Sequence, residues 1–189
     1  MADERWRLFI GIPVPPDAAE LVMHACADLR EQYPEARWTP AASLHLTLVF
    51  LGATSPDAVP AIREAMSTVA ERAEPLAIEL TRGGGTRHGV GWLESDEAES
   101  AVSGQLVLDL RAWLGLTSER AEHPFRAHAT VCRGASSALI KELGAVRVTP
   151  PIAWRAGSIV LFRSRTGPGG SRYEVLATAE MALAPSAIR

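Results

Sequence analysis

Two stretches of this chain could do chemistry together. Ser43-Leu44-His45-Leu46-Thr47-Leu48-Val49-Phe50-Leu51 and Phe125-Arg126-Ala127-His128-Ala129-Thr130-Val131-Cys132-Arg133 each place a histidine two residues before a threonine. Each sits in an apolar run closed by a turn-type residue, Gly52 or Gly134, and so reads as a strand. Side chains alternate along a strand, which puts His and Thr of each copy on one face. In the first copy Leu44, Leu46, Leu48 and Phe50 then fall on the other, core-facing side. Imidazole titrates at about 6.5, so near neutrality one histidine can act as a base while the other is a protonated acid, with the hydroxyls as hydrogen-bond donors. A chain with 5 His is expected to show roughly 0.3 His-x-Thr matches by chance. The two copies lie 83 residues apart, close to half of the 189-residue chain, the layout of an internal duplication. The competing reading is two buried strand histidines with threonine neighbours.

The elements that must position these motifs follow from the punctuation of the chain. Trp6 to Val14 reads as a buried strand, after which Asp17 can cap a helix to about Gln32 with Leu21, Val22, Cys26 and Leu29 inside. Pro56-Asp57 opens a second helix through Ala70. Leu76 to Leu80 and Val90 to Leu93 read as strands of a hairpin connected by Arg82-Gly83-Gly84-Gly85-Thr86-Arg87-His88-Gly89. This run lacks the Gly-Lys-Ser/Thr ending of a phosphate-binding loop. Ser95 or Asp96 can begin a third helix to about Leu114 with Leu106, Leu110, Trp113 and Leu114 on its apolar stripe, and Ser136 or Ser137 begins a fourth. Ile152 to Phe162 and Tyr173 to Leu183 are the closing strands, joined by a glycine-rich turn. Since several connections are hairpins, the expected architecture is α+β: two pseudo-symmetric lobes around a central cleft, each a mostly antiparallel sheet with helices outside, within a single domain over residues 1–189.

Composition narrows the function. A net charge of −3 argues against a broad footprint on duplex nucleic acid, though a small anionic ligand fits. Of the 19 basic residues only Lys141 is lysine, and arginine forks suit phosphate. Cys26 and Cys132, without CxxC spacing, read as reduced thiols of a cytoplasmic protein. The charged start of the chain resembles neither a signal peptide nor a membrane anchor. Neither motif offers a third ligand at metal-site spacing, so no metal and no cofactor is expected. His24 in the first helix, His88 in the hairpin connection and His123 before Pro124 read as structural or surface residues.

The two His-x-Thr motifs, the opening Arg7-Leu8-Phe9-Ile10-Gly11-Ile12-Pro13, His45 to Gly52, the Pro124-Phe125-Arg126 lead into His128, and Leu161-Phe162-Arg163-Ser164 with Tyr173 together resemble the RNA 2',3'-cyclic phosphodiesterases, or 2'-5' RNA ligases, of the two-histidine phosphoesterase superfamily. Ala127, Ala129 and Val131 depart from the family's usual second motif. The resemblance implies hydrolysis of RNA 2',3'-cyclic phosphate ends by a monomer, possible reversal as a ligase, and partners that are RNA ends or nucleotide cyclic phosphates rather than duplex nucleic acid or membrane. It implies His45 as the acid on the leaving oxygen and His128 as the base on water, with Thr47 and Thr130, about 6.6 Å along the strand from each histidine, holding the phosphoryl oxygens. Phe50 and an arginine five residues after the second histidine, Arg133, are further substrate contacts in this reading. Strict alternation turns Arg133 away from His128 and favours Arg126, unless a bulge or strand end near Gly134 restores Arg133 to the cleft. The other readings are a hydrolase of a small cyclic phosphate or 2'-5' oligoadenylate, and a non-catalytic module that holds RNA ends.

Overall fold

The computed structural model describes residues 4–116, 125–167 and 170–182. His123, Pro124 and Leu183 lie outside them. The elements in chain order are β1 (Trp6–Pro13), α1 (Pro16–Ala25), α2 (Ala27–Gln32), β2 (Arg37–Trp38), β3 (His45–Thr54), α3 (Val59–Ala70), β4 (Leu76–Gly85), β5 (Val90–Glu94), α4 (Glu97–Trp113), β6 (His128–Arg133), α5 (Ser137–Ala145), β7 (Arg147–Ala156), β8 (Ser158–Gly167) and β9 (Gly170–Glu180). The architecture is α+β, with a sheet in which every described pairing is antiparallel, in the order β7-β4-β5-β6-β3-β1-β8-β9, and β2 alongside β6.

The halves β7-β4-β5-β6 and β3-β1-β8-β9 meet at the two motif strands, through the pair Leu46↔Ala129. The C-terminal hairpin β8-β9 joins the half that contains the N-terminal strand. Only Gly157 separates β7 from β8, which stand six places apart in the sheet order. A flat sheet would separate them by about 29 Å at about 4.8 Å per strand, whereas two Cα steps reach at most about 7 Å. The sheet therefore curves strongly and brings its two halves toward each other. The sequence pattern had suggested one strand from Ile152 to Phe162; the glycine turns it into two, one for each half.

Alternate residues of the strands build the core. Leu8, Ile10, Ile12, Leu46, Val49, Ile78, Leu80, Leu93, Ala129 and Val131 join one buried cluster, onto which α3 packs against β8 and β9, α4 against β3 and β4, and α5 against β4 and β5. Burying an aliphatic side chain contributes about 1.5–3 kcal/mol, so this shared layer is the main stabiliser of the strand arrangement. A small second cluster, Phe9, Val160 and Phe162 with Tyr173 against it, forms separately. Phe9 alternates with Leu8 and Ile10, which places that aromatic cluster on the opposite sheet face.

Several local expectations change. Asp17 does not cap α1: Pro15 occupies the cap position with no side-chain bond, and Asp17 lies in the first turn where its charge suits the helix dipole. The expected single helix breaks at Cys26 (φ −107°, ψ 6°), and Leu21 is exposed while Val22 and Cys26 are buried. Trp113 also lies outward, with the Arg72 guanidinium 5.7 Å above its ring. Ser136 caps α5, its hydroxyl accepting from the Leu139 amide at 3.2 Å. Gly83, Gly84 and Gly85 are not the hairpin tip but the end of β4, paired with Leu93, Trp92 and Gly91. They serve close approach: a Cβ on Gly83 would overlap the Leu143 carbonyl of α5, and one on Gly84 would come within 2.7 Å of the Trp92 indole nitrogen.

Candidate active site

The pair Leu46↔Ala129 joins the middle residue of one motif to the middle residue of the other. Both are buried against the core, at 1% and 0% exposure, so the flanking His and Thr of each strand point to the opposite face. The antiparallel sense sets His45 toward Thr130 and Thr47 toward His128. The four side chains are all half-buried and form one diagonal constellation across the seam. Neither threonine hydroxyl has a hydrogen-bond partner among the described residues.

Each imidazole is oriented in the same way. His45 Nδ1 lies 2.8 Å from the Ser43 carbonyl oxygen, and His128 Nδ1 lies 2.8 Å from the Arg126 carbonyl oxygen. A carbonyl can only accept, so Nδ1 carries the proton and donates it, leaving Nε2 of each ring as the atom that gains or loses a proton. The surroundings differ. Around His45 stand Phe9 at 4.8 Å, Tyr173 at 4.9 Å and Phe162 at 5.9 Å between ring centroids. Beside His128 stands Trp92 at 5.3 Å. Burial among these aromatic rings lowers the His45 pKa from its ordinary 6.5; the bond to the Ser43 carbonyl works in the other direction, and the positive charges of Arg133 and His128 lower it further.

That depression has a consequence for stability. The unfolded chain binds a proton at His45 near pH 6.5, more readily than the folded form. The contribution is therefore fully present above that pH and is lost as pH falls through the lower folded value. Denaturant unfolding at pH 7.5 and pH 5 should show a smaller acid loss for His45→Gln than for wild type. Equal losses would mean that His45 is not protonated at a cost in the fold.

Bulges decide where the remaining candidates lie. In β1-β3 the register skips Leu48 between the pairs Gly11↔Thr47 and Ile10↔Val49; in β5-β6 it skips Val131 between Trp92↔Thr130 and Gly91↔Cys132. Each extra residue reverses the alternation after the threonine. The two strands consequently share one pattern over six residues: half-buried, buried, half-buried, buried, buried, exposed. Val49 and Cys132 are buried, while Phe50 and Arg133 emerge on the histidine side at matching positions. This corrects the core placement of Phe50, which is 68% exposed with its ring 6.2 Å from that of Phe9. It also removes the parity objection to Arg133, through a bulge at Val131 rather than a break at Gly134.

Arg126 is on the histidine face too, but it is engaged: its guanidinium lies 3.3 Å from Oε1 of Glu94. His88 is exposed in the β4-β5 turn, with its Nε2 accepting from Arg87 Nε at 3.4 Å, and His24 lies in the last turn of α1. Sequence reasoning missed Phe9, Phe162, Tyr173, Trp92 and Glu94. Period-two alternation from Phe9 and from Trp92 would have exposed the first and the last two as residues of one face. Among the described residues no group of three or more His, Cys, Asp or Glu could hold a metal ion, and no helix is long and apolar enough to cross a membrane.

Comparisons with known proteins converge on one family. The model of the LigT like phosphoesterases matches residues 12–92. An RNA 2',3'-cyclic phosphodiesterase of Escherichia coli is 29% identical over 92% of this chain and 95% of its own. One of Geobacillus stearothermophilus is 26% identical over 96% of this chain, which spans 59% of that relative's length. Crystal structures of E. coli LigT complexed with ATP and with 3'-AMP each show 27% identity and a TM-score of 0.68, covering 95% and 94% of this chain and 99% of theirs.

Proposed function

We propose that this chain is a LigT-like phosphoesterase that hydrolyses RNA 2',3'-cyclic phosphate ends to 2'-phosphomonoesters, with His45 and His128 as its acid–base pair. The observation that supports the reading is the seam pair Leu46↔Ala129, which brings the two His-x-Thr strands side by side with both Nε2 atoms left open by the Nδ1 bonds to backbone carbonyls. The names of the relatives and the nucleotides bound to E. coli LigT support nucleotide ends as the ligand.

In this mechanism the cyclic phosphate sits between the imidazoles and accepts hydrogen bonds from Thr47 and Thr130. Water attacks phosphorus and passes its proton to Nε2 of His128; the P–O3' bond breaks and O3' takes the proton from Nε2 of His45. The environments favour this order. His45 lies among the rings of Phe9, Tyr173 and Phe162, a sheltered side that suits a partner for the leaving oxygen. His128 stands at the more open side. Arg133 adds positive charge for the phosphoryl oxygens, and Phe50 at the matching position offers a flat apolar face to a base. With a 5'-hydroxyl replacing water, the same pair would form a 2'-5' linkage. We place the enzyme in the cytoplasm as a monomer, with its bilobal site derived from an internal duplication.

The experiment is a product analysis on a nucleoside 2',3'-cyclic phosphate, an RNA oligonucleotide ending in one, a cyclic phosphate of ADP-ribose and a 2'-5' oligoadenylate. Turnover of the first two to a 2'-phosphate is expected. Binding of RNA ends without turnover, or preferred turnover of the last two, would replace this reading. Activity should also survive exhaustive EDTA treatment, because imidazole and hydroxyl groups supply every proton and hydrogen bond the reaction needs. Lost turnover restored by one divalent ion would contradict the metal-free mechanism.

A further inference from the structure

One row of the sheet runs outward from His128 across the second half: His128 pairs with Glu94, Glu94 with Arg82, and Arg82 with Arg147. The next row places Thr130 beside Trp92 and Trp92 beside Gly84. Paired residues share a face, so Trp92, Glu94 and Arg82 extend the face that holds the reaction site. Arg82 begins two strands away from His128, about 10 Å at ordinary strand spacing.

Glu94 organises this region. It is 5% exposed, and both its oxygens are used: Oε1 accepts from Arg82 Nε at 3.0 Å and lies 3.3 Å from a terminal nitrogen of Arg126, while Oε2 accepts from the Trp92 indole at 2.8 Å. One carboxylate therefore holds two guanidiniums, leaving positive charge in excess. Each guanidinium has five donor hydrogens and spends few of them on Glu94. Both arginine side chains keep substantial exposure, 38% for Arg82 and 53% for Arg126. The indole, fixed by Glu94 and lying against Gly84 where no Cβ would fit, is a rigid flat surface next to His128. A stacking face beside a pair of half-exposed arginines is the combination that single-stranded nucleic acid binds.

We propose that Trp92, Arg82 and Arg126, held by Glu94, form a second nucleotide subsite for the residue 5' to the cyclic-phosphate end. Its base stacks on Trp92 and its phosphodiester meets Arg82 and Arg126, so that oligonucleotide ends are favoured over mononucleotides. The inference rests on the phosphodiesterase reading for the polarity of the chain, and its test uses binding without turnover. The probes are a nucleoside 3'-phosphate and a dinucleotide with the same 3'-phosphorylated end, titrated calorimetrically.

Wild type should bind the dinucleotide about tenfold tighter or more, since one base stacked on an aromatic side chain has an effect of at least this order. Its affinity should also fall more steeply with salt, by about 0.7 in the logarithmic slope for the added phosphate contact. Trp92→Ala should bring the affinity ratio close to one. Arg82→Ala should reduce the ratio and remove the extra salt slope, an effect that a purely structural role would not produce. Equal binding of both probes by wild type, or an unchanged ratio and slope in folded Arg82→Ala, would overturn the subsite. A dinucleotide preference that persists in a protein unable to hydrolyse either cyclic phosphate would uphold the subsite and overturn the proposed reaction alone.

Discussion

His45→Ala and His128→Ala should each lower kcat/KM on a 2',3'-cyclic phosphate by about 10²–10⁴-fold, the usual contribution of a positioned general acid or base. Alanine removes the ring that donates to the Ser43 or Arg126 carbonyl, so circular dichroism and an unfolding curve must accompany the kinetics to show that each variant is folded. The two losses should differ in kind. A leaving oxygen needs a proton, but a leaving sulfur does not, so a cyclic analogue with sulfur in the 3' bridging position should recover much of the activity lost in His45→Ala and little of that lost in His128→Ala. Recovery in the opposite variant would exchange their roles. Wild-type turnover by either folded variant would remove the histidine pair from the mechanism altogether. The pH profile of kcat/KM should be bell-shaped, as a mechanism that needs one protonated and one neutral imidazole requires.

The parts of this site that were legible in the sequence are those that obey strict alternation. His45 and Thr47, like His128 and Thr130, sit two residues apart, and each strand stays regular between them, so their common face followed from the motif. The bulges one residue later did not. An inserted residue at Leu48 or Val131 is as apolar as its neighbours, and only the partner strand reveals that two core residues now follow in succession. In retrospect Leu48-Val49 and Val131-Cys132 are the signal: two adjacent apolar residues after each threonine, then a large side chain, Phe50 or Arg133. The glycine run at 83–85 misled for a related reason. Its chemistry is that of a turn, yet what requires the missing Cβ atoms is α5, more than fifty residues onward, and Trp92 across the hairpin. Glu94 was hidden because a carboxylate near a strand end ordinarily faces solvent, and only the sheet brings Arg82, Arg126 and Trp92 around it.

Arg133→Ala should reduce kcat/KM by about 10²–10³-fold, the scale on which removal of one preorganised donor to a developing oxyanion acts. The loss should appear on the smallest nucleoside cyclic phosphate as well as on an oligonucleotide, since the bulge at Val131 returns Arg133 to the face of His128, where the proposed mechanism puts the phosphate. The position matters as much as the charge. The bulge at Val131 turns the fifth residue after His128 back to the histidine face, where its counterpart in β3 is the uncharged Phe50. In the proposed reading, Arg133 on one motif strand offers a cation and Phe50 at the matching position on the other an aromatic surface, which would give an unsymmetric substrate a fixed direction. Arg126→Ala should behave differently, because that guanidinium is tied to Glu94, in the row of the sheet that runs outward from His128. It should cost more on an oligonucleotide than on a mononucleotide. Arg133→Lys should restore only part of the activity, as an ammonium keeps the charge but loses the planar pair of donors. Kinetics of these three variants on one mononucleotide and one oligonucleotide decide the assignment: an unchanged kcat/KM for Arg133→Ala on both substrates would return the phosphate role to Arg126 and leave the bulge with only a structural purpose.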